Sequence, residues 1–486
     1  MMPNDRQHQQ VLESRRTFFA KSGIGLGSLA AASLDQPAQT SAGAIDPDNP
    51  MLEALRPRLA PGRARAKNII YLFMIGGPSH LDLFDYKPAL ERYDGQPMPD
   101  SYVDKVRFEQ IRDKQPLLMK SPWKFRKCGQ TGRYVSEFLP QTQNIIDELA
   151  FVRTLSTDES VHPHAELLLL TGHRIAGRPS LGSWVIYGLG TESRDLPGFV
   201  VLGNSSPRSK AGIYSNGFLS SVYHGVPFRG RGSPILNLKN PPGVSPAEGR
   251  YVVDAVNQLN ARHYQQKGDS EIAARMSAYE LAFRMQTSAP KLVDLNDEPA
   301  HVLEMYGVDP TNPQQPSFAR ECLLARRLVE RGVRFVQVNF GDWDHHGNIE
   351  VAFPPMARVM DRPMAALVQD LRQRGLLDDT LVVWGGEFGR TPVAQPQKNI
   401  PVGRDHLIES FTIWMAGGGV QPGAEIGATD ELGFAATKDP VHVHDLQATL
   451  LHFLGLDHTQ LIYHHQGRDF RLTDVYGNVI EGLFAS

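Results

Sequence analysis

Asn68-Ile-Ile-Tyr-Leu-Phe-Met-Ile75 is an unbroken apolar run that stops at Gly76-Gly77. A run of this length that lacks alternating polar positions suits a strand buried on both faces, which is the condition of a parallel sheet covered by helices. Three more runs have the same character and end at glycine: Arg334 to Phe340, Thr380 to Trp384, and Ser410 to Ala416. Helical patterns lie between several of them, an amphipathic stretch from Phe318 to Arg331 and apolar residues at helix spacing from Met356 to Arg374. Strand, helix and strand in series predict right-handed crossovers and an α/β fold with a mostly parallel central sheet flanked by helices. Ligands gather at the carboxyl ends of the strands in such sheets, so the residues that follow each run are where a site is expected.

Composition sets the outer limits. With 486 residues, 41% hydrophobic and 21% charged, the chain can bury a large core. Its 50 basic and 53 acidic side chains leave a net charge of -3, which gives no bulk attraction to nucleic acid or anionic lipid. Two cysteines, Cys128 and Cys322, make neither a metal pattern nor a disulfide framework, and two buried thiols are expected. Near the start, Ser14-Arg15-Arg16-Thr17-Phe18-Phe19 and Lys21 precede a weakly apolar run from Gly23 to Leu34. This order predicts a twin-arginine export signal, with a periplasmic or extracellular destination and the twin-arginine export machinery as a partner. The apolar run is too short for a stable membrane span. The expected division is a signal and linker over 1–45 and an α/β domain over 46–486, with an insertion or cap at about 196–290 where Gly, Pro, Ser and Asn give way to a charged helical stretch.

Five segments carry residues suited to metal or acid-base chemistry. After the first run, His80 and Asp82 stand two apart on a glycine-started loop and can converge on a cation. After the second, Gly341-Asp-Trp-Asp-His-His-Gly347 offers Asp342, Asp344, His345 and His346. Asp342 and His346 are four apart, so one helical turn would place both on one face, with Asp344 and His345 left for a second ion or for orienting the first ligands. In Trp384 to Pro392, Glu387 is an oxygen ligand or general base and Arg390 an oxyanion clamp. In Gly403-Arg-Asp-His406, His406 is a ligand, Asp405 orients or ligates, and Arg404 faces an anionic substrate. In Ser160 to Glu166, His162 and His164 open a Leu-rich helix as ligands or nucleophiles. His442, His444 and Asp445 open another helix, where Asp445 suits a cap.

Taken together, Gly76-Gly77-Pro78-Ser79-His80 with Phe84-Asp85 and Lys87-Pro88, the Trp384 to Pro392 segment, Gly403 to His406, and Asp445 to Leu451 resemble the bacterial family called domain of unknown function 1501. The resemblance runs from Asn68 nearly to the C-terminus. That family is similar to alkaline phosphatases and sulfatases, which implies an α/β sandwich with two adjacent metal positions. It also implies an Asp-x-x-x-His pair at Asp342 and His346, completed by a late histidine at His406. Departures from that pattern are Gly76-Gly77 where an acidic ligand is usual, Glu387-Phe388-Gly389 where a His is usual, and His162 and His164 in place of a Ser, Thr or Cys at the nucleophile position before the Leu-rich helix. The expectation is an exported metal-dependent hydrolase of phosphate or sulfate esters, acting on a small or polymeric anionic substrate. Its divalent ion would be zinc if histidines dominate, and calcium or manganese if carboxylates do. Arg390 and Arg404 would hold the anionic group. The alternative is a metal-containing binding or accessory protein of the envelope that keeps the fold without turnover.

Overall fold

A computed structural model describes residues 54–485 apart from 103–105, 114, 204, 230–233, 236–237, 310, 313–314 and 316. The expected export signal lies outside these residues. Nine strands of the described chain form the central sheet: β1 (Asn68–Met74), β2 (Ala150–Ser156), β3 (Phe199–Leu202), β4 (Val226–Pro227), β5 (Phe335–Phe340), β6 (Thr380–Gly385), β7 (Phe411–Ala416), β8 (Glu425–Ile426) and β9 (Val441–His442). Their order is β8-β2-β7-β6-β1-β5-β3-β4, with β9 paired to β2.

All pairings are parallel except those of β7, which runs against both β6 and β2. The cause lies in its connection. From Gly385 to Phe411 the chain makes no helix, only two short antiparallel pairs, Gly389–Arg390 with His406–Leu407 and Gln395–Gln397 with Ile400–Gly403, so it returns as a broad hairpin rather than crossing over. The entrance to β7 therefore lies at the same sheet edge as the exits of β1, β5 and β6. A continuous apolar run in the sequence does not distinguish the two directions, because both faces are buried either way.

Burial of both faces is visible residue by residue in β1. Ile70, Leu72 and Met74 join one core with Leu323 and Leu328 of α5 (Phe318–Val329) and Leu367 of α6 (Ile349–Gln373). Ile69, Tyr71 and Phe73 join the other with Leu168 of α1 (His162–Thr171), Val185 of α2 (Leu181–Leu189) and Leu450 of α7 (Val443–Phe453). Alternation along a strand thus feeds two cores, each side chain of this size contributing about 1.5–3 kcal/mol when withdrawn from water. The result is a three-layer α/β/α arrangement.

The stretch expected as a cap is divided. Phe199–Leu202 is wholly buried inside the sheet, whereas α3 (Pro246–Lys267) and α4 (Ser270–Val293) form a helical pair. Only α4 reaches the core, through Met285, Ala289 and Leu292. No helix of the described residues is long and apolar enough to cross a membrane. Both thiols are free and buried.

Candidate metal centre

Four side chains meet at the carboxyl edge of the sheet: His162, Asp344, His346 and His406. Each comes from a different use of the same edge. His162 is the first residue of α1, which follows β2, and Pro163 is the second, in the first turn where a missing N–H costs nothing. Asp344 and His346 follow β5. His406 enters β7, and it reaches the site only because that strand is antiparallel.

Their geometry is that of a ligand set around one point. Asp344 Oδ1 lies 2.8 Å from His346 Nε2, 3.1 Å from His162 Nε2 and 3.4 Å from His406 Nε2. Donors bound at about 2.1 Å to one ion stand roughly 3.0–3.4 Å apart in octahedral or tetrahedral coordination, so these spacings fit. The other nitrogen of every ring is already committed. Nδ1 of His162 faces Glu387 Oε1 at 2.6 Å, Nδ1 of His346 faces Gln395 Oε1 at 2.7 Å, and Nδ1 of His406 faces the Ser160 carbonyl at 2.6 Å. Three acceptors fix Nδ1 as the donor on three rings, which leaves three Nε2 lone pairs pointing inward. His162 Nε2 is buried without a hydrogen bond among the described residues, the kind of orphan that a bound ion explains.

The supports are themselves held. Glu387 is wholly buried and accepts from the Gly76 amide at 2.9 Å. Gly76 has φ +100°, and a Cβ there would stand 2.7 Å from the Trp343 nitrogen and 2.8 Å from that of Asp344, so the loop after β5 can settle over β1 only if this residue is glycine. The Phe388 ring packs against both His162 and His406, with centroids at 4.7 and 4.3 Å, and the two imidazoles meet edge to face at 4.5 Å. Arg390 Nη2 donates to Asp344 Oδ1 at 2.9 Å. Burial would raise the Asp344 carboxyl, but the three imidazoles and Arg390 outweigh it and hold the group far below the usual carboxylate range. Burial opposes charge on His162 too, yet the carboxylates of Asp344 and Glu387 beside its ring lift it to about 9, so an ion entering here displaces a proton. Burial, reinforced by the charge of Arg390, pushes His406 down to about 4.

The remaining residues singled out from the sequence lie elsewhere. No helical turn forms after β5: the chain is irregular, and side chains alternate. Trp343 and His345 pack inward against Phe353, while Asp344 and His346 face the cluster. Asp342 stays outside it, 64% exposed, and pairs with Arg208. Glu387 stands behind His162. Asp82 is wholly buried against Arg404, at 2.8 Å from its Nε. Asp405 accepts from the amides of Gln110, Ile111 and His406 and so fastens the 110–111 segment beside the site. His164 is half exposed near Glu159. Asp445 caps α7 through the His442 amide.

Neither arginine expected to hold substrate is free to do so. Arg404 spends all five N–H groups on Asp82 and on the carbonyls of Met119, Lys120 and Thr391. Arg390, 1% exposed, donates to the carbonyls of Gly76, Gly77 and Arg404 as well as to Asp344. Sequence reading missed Gln395 and Gln110, which bracket His346, and it missed Arg208. The signal for Glu166 was present: a carboxylate just ahead of four leucines is out of place on an apolar helix face.

His80 is buried with neither ring nitrogen hydrogen-bonded among the described residues, and burial pushes it down to about 4 from 6.5. Unfolded chains therefore take up a proton between pH 6.5 and 4 that the folded protein refuses, and stability is lost as pH falls through that window. Its contribution is about 3 kcal/mol at most. Denaturation of His80→Leu at pH 7 and pH 4.5 is expected to show a smaller acid loss than the wild type; an equal loss would remove His80 as a cause.

Residues 66–484 match the family described as Protein of unknown function (DUF1501). Among curated proteins none matches significantly. Solved structures with a similar course include a protein in the alkaline phosphatase superfamily from Vibrio parahaemolyticus, at 9% identity and TM-score 0.36 over 86% of this chain and 73% of that one. The lipoteichoic acid synthase LtaP of Listeria monocytogenes gives 10% and 0.36 over 90% and 81%. The alkaline phosphatase of the Antarctic bacterium TAB5 gives 11% and 0.30 over 81% and 99%. These likenesses are too distant to transfer a site.

Proposed function

The chain belongs to the DUF1501 family, and we propose that it is a metal-dependent hydrolase of phosphate or sulfate esters whose single ion is held by His162, Asp344, His346 and His406. One observation carries this reading: three Nε2 atoms converge on one carboxylate oxygen while every Nδ1 is tied to an acceptor. Three imidazoles and one carboxylate favour zinc over calcium or manganese, which prefer all-oxygen shells. A bound divalent ion supplies Lewis-acid polarisation of an ester oxygen and an acidified water. The chain's own part is to orient three rings through Glu387, Gln395 and Ser160, and to keep Asp344 ionised beside Arg390.

Glu387→Gln is expected to keep the fold but weaken zinc binding roughly 10- to 100-fold, because the amide orients His162 without the carboxylate's charge. Competition with a chromogenic chelator measures it, and unchanged affinity would place Glu387 outside the metal's support. For the activity itself, zinc-loaded protein is expected to hydrolyse p-nitrophenyl phosphate or p-nitrophenyl sulfate, and to stop when chelated.

A second reading keeps the ion and drops turnover. It is favoured by Ser160, the hydroxyl just before α1, whose Oγ is turned to Glu109. Zinc at full occupancy with no hydrolysis of either ester decides for that metal-containing accessory protein. Export through the twin-arginine route is part of the proposal; Arg15→Lys/Arg16→Lys is expected to strand the protein in the cytoplasm.

A further inference from the structure

We propose that Arg208 is the residue that binds the anionic group of the substrate, and that Glu166 is the positioning residue that presents it; the inference rests on the reading of the cluster as a hydrolytic metal site. With Arg390 and Arg404 consumed internally, Arg208 brings a guanidinium with free donors to the cluster. Its Nη2 lies 2.8 Å from Asp342 Oδ1 and 3.7 Å from Asp344 Oδ2, the far oxygen of the carboxylate at the centre of the ligand set. Among the described residues its Nε and Nη1 have no hydrogen-bond partner, and the side chain is 40% exposed.

The backbone under Arg208 is fixed, although its head is not. Glu166, fully buried, accepts the Arg208 amide at 2.9 Å and the Ser209 amide at 2.7 Å, and also takes the Ser209 hydroxyl. Toward the other end of the loop, Ser205 Oγ accepts the Gly341 amide at 3.0 Å, which ties the loop to the exit of β5. Gly203 has φ +108° and sits where a Cβ would meet the Asn339 carbonyl at 2.1 Å. A buried carboxylate on α1 therefore serves as the anchor of a loop whose one long cation overhangs the cluster. Asp342, largely in water, is a resting partner: a pair so exposed is screened and weakly held, and a phosphate or sulfate group can take its place. The planar fork of a guanidinium suits two non-bridging oxygens of either anion, in a way that an ammonium does not.

The test titrates inorganic phosphate into zinc-loaded wild type, Arg208→Ala, Arg208→Lys, Glu166→Gln and Asp342→Asn by calorimetry, with zinc content measured on each. Arg208→Ala is expected to keep its zinc and bind phosphate roughly 10- to 100-fold more weakly, with Arg208→Lys in between. Glu166→Gln should weaken phosphate less than Arg208→Ala and leave zinc unchanged. Asp342→Asn should keep zinc and bind phosphate a few-fold more tightly, because the competing carboxylate is gone. The proposal is overturned if Arg208→Ala binds phosphate like the wild type, if it loses zinc together with phosphate, or if the wild type binds no phosphate. Loss of zinc in Asp342→Asn would make Asp342 a ligand and end its role as resting partner. Should the wild type take up no zinc, the hydrolase reading falls by itself, and the Arg208 dependence of phosphate binding to the metal-free protein still decides this inference.

Discussion

His406→Ala is expected to lower zinc affinity by roughly 70- to 900-fold while the protein stays folded. Structural zinc sites bind with about 10–16 kcal/mol in all, so one of four ligands carries ~2.5–4 kcal/mol, and that converts to this range. Three features make the position decisive. Its ring is fixed by the Ser160 carbonyl at Nδ1 and by stacking near Phe388, its Nε2 faces Asp344, and burial keeps it neutral at physiological pH. His164→Ala and His345→Ala are the matched controls: the first is half exposed and the second is turned into the Trp343 and Phe353 packing, so neither should change zinc affinity. Chelator competition on the three variants reads the difference. Equal losses in His345→Ala and His406→Ala would show that the loop after β5 presents a different set of ligands.

The second large effect is on stability. Asp82 and Arg404 form an ion pair with no exposed surface on either side, and Arg404 also collects three carbonyls from the 119–120 segment and Thr391. Removing one member leaves a buried charge uncompensated, a loss of about 3–5 kcal/mol in comparable pairs. Asp82→Asn and Arg404→Met are therefore expected to unfold at much lower denaturant concentration, yet to bind zinc at the wild-type ratio wherever they remain folded. The position of Asp82 on a strand-end loop invites a metal role. If Asp82→Asn lost zinc at unchanged stability, that role would be correct and the ion-pair account wrong.

Much of this architecture was legible in the chain because burial on both faces leaves a strong mark. The runs at Asn68, Arg334 and Thr380 became β1, β5 and β6, neighbours at the centre of the sheet, with helices close to the predicted stretches. The direction of β7 left no mark, since its composition is the same in either sense. That direction brings His406 to the edge. The choice between Asp342 and Asp344 was equally hidden. A helical turn would have paired Asp342 with His346; the irregular chain instead alternates, placing Asp344 with His346 and sending His345 into the core. His162 and His406 were visible as isolated histidines at element boundaries, but nothing in their spacing linked residues more than 200 positions apart. Arg208 was the least legible of all, an arginine in a Gly- and Ser-rich stretch whose role depends on a carboxylate 42 residues earlier.

Whether these four side chains hold an ion is decided by metal stoichiometry: mass spectrometry of the wild-type protein after zinc reconstitution and dialysis, beside the His162→Ala/His346→Ala/His406→Ala triple variant checked for fold by circular dichroism. One zinc per chain is expected in the wild type and none in the triple variant. No retained metal in the wild type, or one zinc per chain in both proteins, would rule out a zinc site at His162, Asp344, His346 and His406.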